Sequence, residues 1–174
     1  LREDGQEKLK VNKRKFIYLI SPNKISKNFF KDLRLLLETG KISFFQLRLK
    51  KYSLQHKIVI GGKIKNICKK NKVKFLINDD PILTLRIGAD GCHLGQKDMN
   101  IKEAKKIIGK KIIGVTCHNS LNLAKRAIRY GASYLAIGAF YSSKTKKTKY
   151  SANIKILNKI KKITKTPIVV IGGI

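Results

Sequence analysis

The side chains best able to do chemistry in this sequence are polar residues that follow short apolar runs. The cations are Arg48, Lys50, Lys97 and Lys146, and the carboxylates are Asp79 and Asp98. The uncharged hydrogen-bonding members of the set are Gln46, Asn78, Thr116, Ser143 and Thr145. Mg²⁺ prefers oxygen ligands, and it is usually held by one or two carboxylates while substrate phosphates and water complete its shell. The mixture therefore predicts a site for a magnesium diphosphate, with Asp79 and Asp98 as the metal ligands.

Such a site favours electrostatic catalysis. Cations placed around a diphosphate stabilise the negative charge that develops as a C–O bond to it breaks, and no protein nucleophile is needed. A second interpretation of Asp79 is a loop carboxylate in an ion pair. The neighbouring Asp80 is better explained as a helix cap, because Pro81 follows it at the first helical position.

Strands and helices must alternate along the chain to position these residues. Apolar runs rich in β-branched and aromatic residues predict strands at 16–20, 43–49, 73–77, 91–94, 112–116, 134–137 and 168–171. Segments of helical character lie between them, at 27–39, 54–70, 81–87, 101–108, 121–130 and 152–163. This alternation with short connections predicts parallel strands joined by right-handed crossovers, either in a closed barrel or in an open doubly wound sheet.

The second strand favours the barrel. Gln46, Arg48 and Lys50 recur at a period of two, so they share one face of the strand, and an open sheet covered by helices would bury that polar row at considerable cost. No G-x-G-x-x-G motif follows the first strand, where a dinucleotide-binding fold would place one. We therefore predict an α/β fold of the (β/α)₈ TIM-barrel type, whose active site lies at the carboxyl ends of the strands.

The predicted organisation is a single TIM-barrel domain over residues 1–174. Residues 1–12 form a polar N-terminal extension, and the chain stops on an apolar strand with a glycine turn at 169–174. We expect the sequence to be truncated before the eighth strand, so that one C-terminal β/α unit is missing.

Composition constrains the partners. The formal net charge is +30, from 40 Lys and Arg against 10 Asp and Glu, which makes nucleic acid a partner to consider. The charge is spread along the whole chain, however, so we expect no specific nucleic acid partner and interpret the surface as that of a lysine-rich protein. No apolar run is long enough for a membrane helix or a signal core, which favours a cytoplasmic protein without membrane contact.

The cysteines suggest neither disulfides nor zinc. Three cysteines without C-x-x-C spacing predict reduced, mostly buried thiols. The pairs Cys92-His93 and Cys117-His118 could invite a soft-metal interpretation. Neighbours on a strand point to opposite faces, so at most one member of each pair faces the barrel interior, and no fourth ligand is evident.

Several of these segments together resemble one known family, the thiamine-phosphate synthases, which are single-domain TIM-barrel enzymes. The resemblance covers nearly the whole chain. The matching motifs, in order, are FQLRLK at 45–50, IND at 77–79, DGCHLGQKDM at 90–99, GVTCH at 114–118, TK at 145–146 and IGGI at 171–174.

The resemblance implies a transferase. It would join hydroxymethylpyrimidine diphosphate to hydroxyethylthiazole phosphate, giving thiamine phosphate and pyrophosphate, with Mg²⁺ as cofactor. By similarity, the residues that hold the pyrimidine diphosphate would be Gln46, Arg48, Lys50, Asn78, Thr116 and Lys146. Arg48, Lys50, Thr116 and Lys146 would be catalytic, and Asp79 and Asp98 would bind the metal. The thiazole phosphate would lie against Ser143, Lys144, Thr145, Gly172 and Gly173.

In the family's mechanism the diphosphate leaves first, a pyrimidine methyl cation forms, and the thiazole nitrogen attacks it. Two alternatives remain open. One is a related thiazole tautomerase of the same fold, against which Arg48, Lys50 and the Asp79/Asp98 pair argue. The other is a basic nucleic-acid-binding module, whose affinity would fall steeply with salt.

Overall fold

The computed structural model describes residues 16–141 and 150–173. Its strands are β1 (Ile17–Ile20), β2 (Ile42–Leu47), β3 (Lys74–Asn78), β4 (Gly91–Leu94), β5 (Ile112–His118), β6 (Tyr134–Ile137) and β7 (Ile168–Val170). Its helices are α1 (Phe29–Glu38), α2 (Leu54–Lys70), α3 (Pro81–Ile87), α4 (Ile101–Ile108), α5 (Leu121–Arg129) and α6 (Ile154–Ile163). The predicted alternation is confirmed, and every predicted boundary lies within two residues of the observed one.

The strands form one parallel sheet in which chain order and spatial order are the same, from β1 to β7. Within the described residues, β1 and β7 are the two unpaired edges of this sheet. Tyr18 of β1 nevertheless packs against the inner cluster that contains Val169 of β7, and its hydroxyl lies 2.8 Å from that of Tyr134 in β6, so the sheet is strongly curled. The predicted TIM-barrel class is therefore confirmed as a nearly closed barrel, in which the described part of the chain supplies seven strands.

Alternation along each strand separates an inner core from an outer one. Phe44 and Leu76 point into the barrel, where they pack with Ile112 and Tyr134. The residues between them in sequence, such as Phe45, belong to clusters that pack the helices against the outside of the sheet. The inner face is therefore the one that can carry polar residues towards the mouth of the barrel.

Two caps fix where helices begin, and the first is the one predicted at Asp80. The carboxylate of Asp80 accepts a hydrogen bond from the Leu83 amide at 2.8 Å, with Pro81 at the start of α3. Asn100 accepts one from the Glu103 amide at 3.0 Å and begins α4. Both caps lie in the short loops that follow β3 and β4, so they also set where the carboxylates in those loops stand.

A glycine in β5 makes room for an aromatic ring inside the barrel. Gly114 is the direct partner of Tyr134 in the β5–β6 register. A Cβ at Gly114 would lie 1.8 Å from the tyrosine ring, far inside van der Waals contact. The Tyr134 ring therefore lies against the bare backbone of β5, and its hydroxyl reaches the centre of the barrel.

None of the described helices is both long and apolar enough to cross a membrane.

Candidate functional site

Four adjacent strands bring the predicted polar residues to one end of the barrel. Gln46 lies near the end of β2, Asn78 ends β3, and Thr116 lies in the second half of β5. The β3–β4 register places Asn78 beside His93 of β4. The carboxyl ends of parallel strands meet on one side of a barrel, so these residues share its mouth.

A chain of hydrogen bonds crosses the barrel beneath this mouth. Gln46 Nε2 donates to the Tyr18 hydroxyl at 2.9 Å, and the Tyr18 and Tyr134 hydroxyls are 2.8 Å apart. Tyr134 then contacts His93 Nδ1 at 2.8 Å, and His93 Nε2 contacts Thr116 Oγ1 at 2.8 Å. The chain connects two predicted substrate-binding residues, Gln46 and Thr116, through three residues for which the sequence predicted no role in the site.

Arg48 follows β2 and is held at its backbone and at its guanidinium. Its amide donates to Ser21 Oγ at 2.8 Å, and its Nη1 donates to Asn23 Oδ1 at 2.6 Å. The Ser21 amide in turn donates to the Gln46 carbonyl at 2.9 Å. The β1–α1 loop therefore aligns the arginine, which is half-buried and keeps further donors for an anion.

Lys50 and Asp79 form an ion pair across the loops after β2 and β3. Lys50 Nζ lies 3.0 Å from Asp79 Oδ2, and the lysine side chain is 57% exposed. Asp79 has a φ of 64°, a left-handed conformation that aspartate adopts more readily than most residues. Its amide donates to the His93 carbonyl at 2.7 Å, which continues the β3–β4 pairing and fixes the turn. The interpretation of Asp79 as an ion-paired loop carboxylate is thus correct for this structure, and it leaves the metal role open.

Asp98 lies against Asp79, and the two carboxylates differ in their titration. Burial works to raise the pKa of Asp79, but the hydrogen bond with Asp98 and the Lys50 ammonium outweigh it and leave that pKa below its ordinary value. Burial, followed by the hydrogen bond with Asp79, raises the pKa of Asp98. The Gly95 amide donates to Asp98 Oδ2 at 2.7 Å and orients it. Two carboxylates in contact need a proton or a cation between them.

The donor set fits Mg²⁺. Hard carboxylate oxygens converge from the loops after β3 and β4. Among residues 16–141 and 150–173, no group of three or more His, Cys, Asp or Glu is placed to enclose a metal ion. Mg²⁺ is usually bound by one or two carboxylates with water and substrate phosphates in the other positions. Asp79 and Asp98 match that pattern, because they leave most of the coordination shell open.

Two cavities border these residues. One of about 320 Å³ lies at the ends of β2 and β3, and its lining residues are Leu47, Leu49, Lys50, Lys57, Ile77, Asn78, Asp79, Asp80 and Leu83. A larger one of about 440 Å³ lies between α4 and α5, on the outer side of β4 and β5. Lys50, Asn78 and Asp79 of the predicted site line the smaller cavity, whereas Asp98 lines the larger one.

Gln96 connects the mouth to the outer cavity. Its Nε2 donates to the Thr116 carbonyl, and its Oε1 accepts from Arg126 Nη2 at 2.6 Å. The β4–α4 loop is thereby tied to β5 beside Thr116.

The remaining predicted substrate residues fall into two groups. Ser143, Lys144, Thr145 and Lys146 lie outside the described residues. Gly172 and Gly173 both have positive φ, at 92° and 73°, and a Cβ at Gly172 would come within 2.4 Å of Ala139. That turn after β7 therefore packs tightly against the segment after β6.

The cysteines are buried thiols, as predicted. Cys68, Cys92 and Cys117 are free, and burial raises the pKa of each to about 12. Cys92 and Cys117 pack in the outer core, whereas His93 faces the barrel interior. The expectation that the members of a Cys-His pair point to opposite faces is confirmed for Cys92 and His93.

Sequence reasoning missed Tyr18 and Tyr134 as parts of the site. One signal was available in β5 and β6, because a glycine facing a large aromatic across adjacent strands indicates close approach of side chain to backbone. Gly114 and Tyr134 are such a pair. The hydrogen bond between Tyr18 and Tyr134 spans 116 residues of sequence, and no local pattern encodes it.

Comparison with known proteins decides the family. A family model described as thiamine monophosphate synthase matches residues 17–174. The chain belongs to the thiamine monophosphate synthase family. The predicted membership, and with it the transferase class of enzyme, is confirmed.

Individual relatives agree with the family model. A thiamine-phosphate synthase of Pelagibacter ubique is 65% identical over 166 residues, which are 95% of this chain and 80% of the relative. One from Marinobacter nauticus is 42% identical over 78% of this chain and 61% of its own length. The solved thiamine phosphate pyrophosphorylase of Pyrococcus furiosus superposes with a TM-score of 0.81 at 30% identity, covering 91% of this chain and 75% of that one. Fold and family thus agree in sequence and in structure.

Proposed function

We propose that the mouth of this barrel makes thiamine phosphate and pyrophosphate from hydroxymethylpyrimidine diphosphate and hydroxyethylthiazole phosphate. The observation that carries the proposal is the placement of Arg48, Lys50 and the Asp79–Asp98 pair in the loops after β2, β3 and β4. Two cations beside two carboxylates in contact form an arrangement suited to a metal-bound diphosphate. Family membership supports the choice of substrates.

The diphosphate is held by the cations and by uncharged donors around them. Arg48 offers guanidinium donors already aligned by Asn23, and Lys50 adds an ammonium group at the same edge. Gln46, Asn78 and Thr116 line the mouth from three strands and contribute neutral hydrogen bonds. We assign Lys146 to the same anion by similarity to the family.

Mg²⁺ bound by Asp79 and Asp98 would neutralise charge on the diphosphate oxygens and make that group a better leaving group. The hydrogen bond with Asp98 and the Lys50 ammonium lower the pKa of Asp79, which favours the carboxylate form that a cation binds. The Gly95 amide keeps Asp98 turned towards its partner.

The reaction breaks one bond and forms one. The C–O bond to the diphosphate breaks with its electron pair leaving on pyrophosphate, which Arg48, Lys50 and Lys146 stabilise. The pyrimidine methyl cation that remains accepts the lone pair of the thiazole nitrogen, which forms the C–N bond. Stabilising the departing anion is sufficient for this sequence, so it requires no protein nucleophile.

The second substrate is assigned to the opposite side of the mouth. Ser143, Lys144 and Thr145 and the Gly172–Gly173 turn would hold the thiazole phosphate. The tight contact between Gly172 and Ala139 supports this placement, since it brings the turn after β7 to the segment that leads into residue 143.

Calorimetric titration tests the proposal. We expect the pyrimidine diphosphate to bind with Mg²⁺ present and to bind at least about tenfold more weakly in EDTA, because the anion would lose the positive charge that the metal supplies. Equal affinity in both buffers would contradict the magnesium-diphosphate site. A salt-sensitive RNA complex without diphosphate binding would favour a nucleic-acid-binding module instead.

A further inference from the structure

The hydrogen-bond chain inside the barrel has a direction. Gln46 donates its Nε2–H to the Tyr18 oxygen, and among the described residues the Tyr18 hydroxyl contacts only Gln46 and Tyr134. The Tyr18 proton is therefore donated to Tyr134, and the Tyr134 proton to His93 Nδ1. His93 then carries its proton on Nε2 and donates it to Thr116 Oγ1.

This direction determines what Thr116 can offer a substrate. A threonine hydroxyl has one proton. Because its oxygen accepts from His93, that proton is not used on the histidine and is available to another acceptor. If the hydrogen bonds ran the other way, the side-chain oxygen of Gln46 would have to occupy the position of its nitrogen. Thr116 would then donate its one proton to His93.

We propose that Tyr18, Tyr134 and His93 are positioning residues that hold Thr116 as a hydrogen-bond donor to the departing diphosphate and couple its orientation to Gln46. This inference rests on the proposed function, in which Thr116 contacts the diphosphate. An anion can use donors only, so a threonine that merely accepted would contribute nothing to its stabilisation.

The packing around the hydrogen-bond chain leaves its side chains little room to adopt other positions. Tyr134 is 2% exposed, its ring stacks on His93 with centroids 5.7 Å apart, and Tyr18 stacks on Phe44 at the same separation. Burial raises the pKa of both tyrosines, which keeps both hydroxyls protonated and able to donate. Gly114 supplies the space that lets Tyr134 reach His93.

The tautomer of His93 is the direct test. The chain has three histidines, so ¹⁵N-labelled imidazole resonances can be assigned by substituting His56 and His118 in turn. We expect His93 to be the neutral Nε2–H tautomer in the wild type, and Tyr134→Phe to shift its Nδ1 resonance by removing the donor. An Nδ1–H tautomer or a doubly protonated ring at neutral pH would overturn the inference, whether or not the protein makes thiamine phosphate.

A double-mutant cycle separates positioning from general packing. Tyr134→Phe removes one oxygen, and we expect kcat to fall on the order of tenfold with KM for the thiazole phosphate unchanged. In a Thr116→Val background the same substitution should have almost no further effect on kcat. Tyr130→Phe, in the turn after α5, is the matched control and should leave kcat unchanged.

The cycle has two outcomes that count against the inference. An equal fall in kcat in both backgrounds would mean that Tyr134 acts by packing and not through Thr116. Retention of full activity by Tyr134→Phe would also overturn it. If the wild type formed no product, the proposed function would fail and the histidine spectrum would still decide the direction of the chain.

Discussion

Arg48 is the side chain whose loss should separate the two substrates. Its guanidinium is aligned by Asn23 and is assigned to the diphosphate alone. We expect Arg48→Ala to weaken binding of the pyrimidine diphosphate by about 10- to 100-fold, the range for a lost charge-assisted contact, and to leave thiazole phosphate binding unchanged. Calorimetry of each substrate measures this, with Arg34→Ala on the exposed face of α1 as control. Equal losses for both substrates would contradict the assignment.

The carboxylate pair makes a second, metal-specific prediction. Asp79→Asn and Asp98→Asn each remove one charge from a two-carboxylate site. The Mg²⁺ concentration for half-maximal activity should therefore rise by at least about tenfold in each variant. Glu38→Gln, at the exposed end of α1, is the control. Unchanged magnesium dependence in both aspartate variants would show that the ion binds elsewhere.

Residue types at strand ends were predictable from sequence, but their partners were not. The cations, carboxylates and amides could be selected because each follows an apolar run, and strand ends of parallel sheets carry the active sites of barrels. That Lys50 pairs with Asp79, or that Gln46 is joined to Thr116 through two tyrosines and a histidine, depends on the registers of six strands. Distant pairings of this kind leave no periodic trace in the chain.

The contact between β5 and β6 gives a prediction about stability. Gly114→Ala places a methyl group inside the Tyr134 ring position, so the ring must move and the inner core must repack. We expect a loss of about 1–3 kcal/mol in the free energy of unfolding, measured by urea denaturation. Gly62→Ala in α2 is the matched control, because its Cβ would meet no atom within 4 Å.

For the control substitution we expect a change in stability of the opposite sign. A helical glycine replaced by alanine without steric conflict stabilises by about 0.5–1 kcal/mol. If Gly114→Ala destabilises the protein while Gly62→Ala stabilises it, the loss at Gly114 comes from the contact with Tyr134. Two changes of the same sign would contradict the account of β5.

Helices and strands were predicted more accurately than the loops between them. Buried strands and caps such as Asp80-Pro81 are local signals, and the observed elements begin and end close to where those signals lie. The exception that matters is β2, which ends at Leu47, so Arg48 and Lys50 lie in a loop and not on the strand. Their freedom to pair with Asn23 and Asp79 comes from that early end.

Three buried thiols in the barrel predict that the stability of the whole protein depends on pH. Burial raises the pKa of Cys68, Cys92 and Cys117 from an ordinary 9.0 to about 12. Because folding favours the neutral thiol, this contribution to stability is fully present below pH 9 and is lost as pH rises towards 12.

Thiol labelling measures the difference. At pH 9 about half of each unfolded thiol is ionised, whereas the folded thiols remain almost entirely protonated, so iodoacetamide should react at least about 100-fold more slowly with native protein than with protein in urea. Similar rates in the two states would contradict the buried placement of all three cysteines.

The most direct test of the central claim is formation of thiamine phosphate from the pyrimidine diphosphate and the thiazole phosphate, measured by chromatography with and without Mg²⁺. We predict one thiamine phosphate and one pyrophosphate per turnover, dependent on Mg²⁺ and strongly reduced in the Arg48→Ala variant that retains the fold. Absence of product from the wild type with both substrates and Mg²⁺, in a protein whose circular dichroism shows an intact barrel, would contradict the assigned reaction.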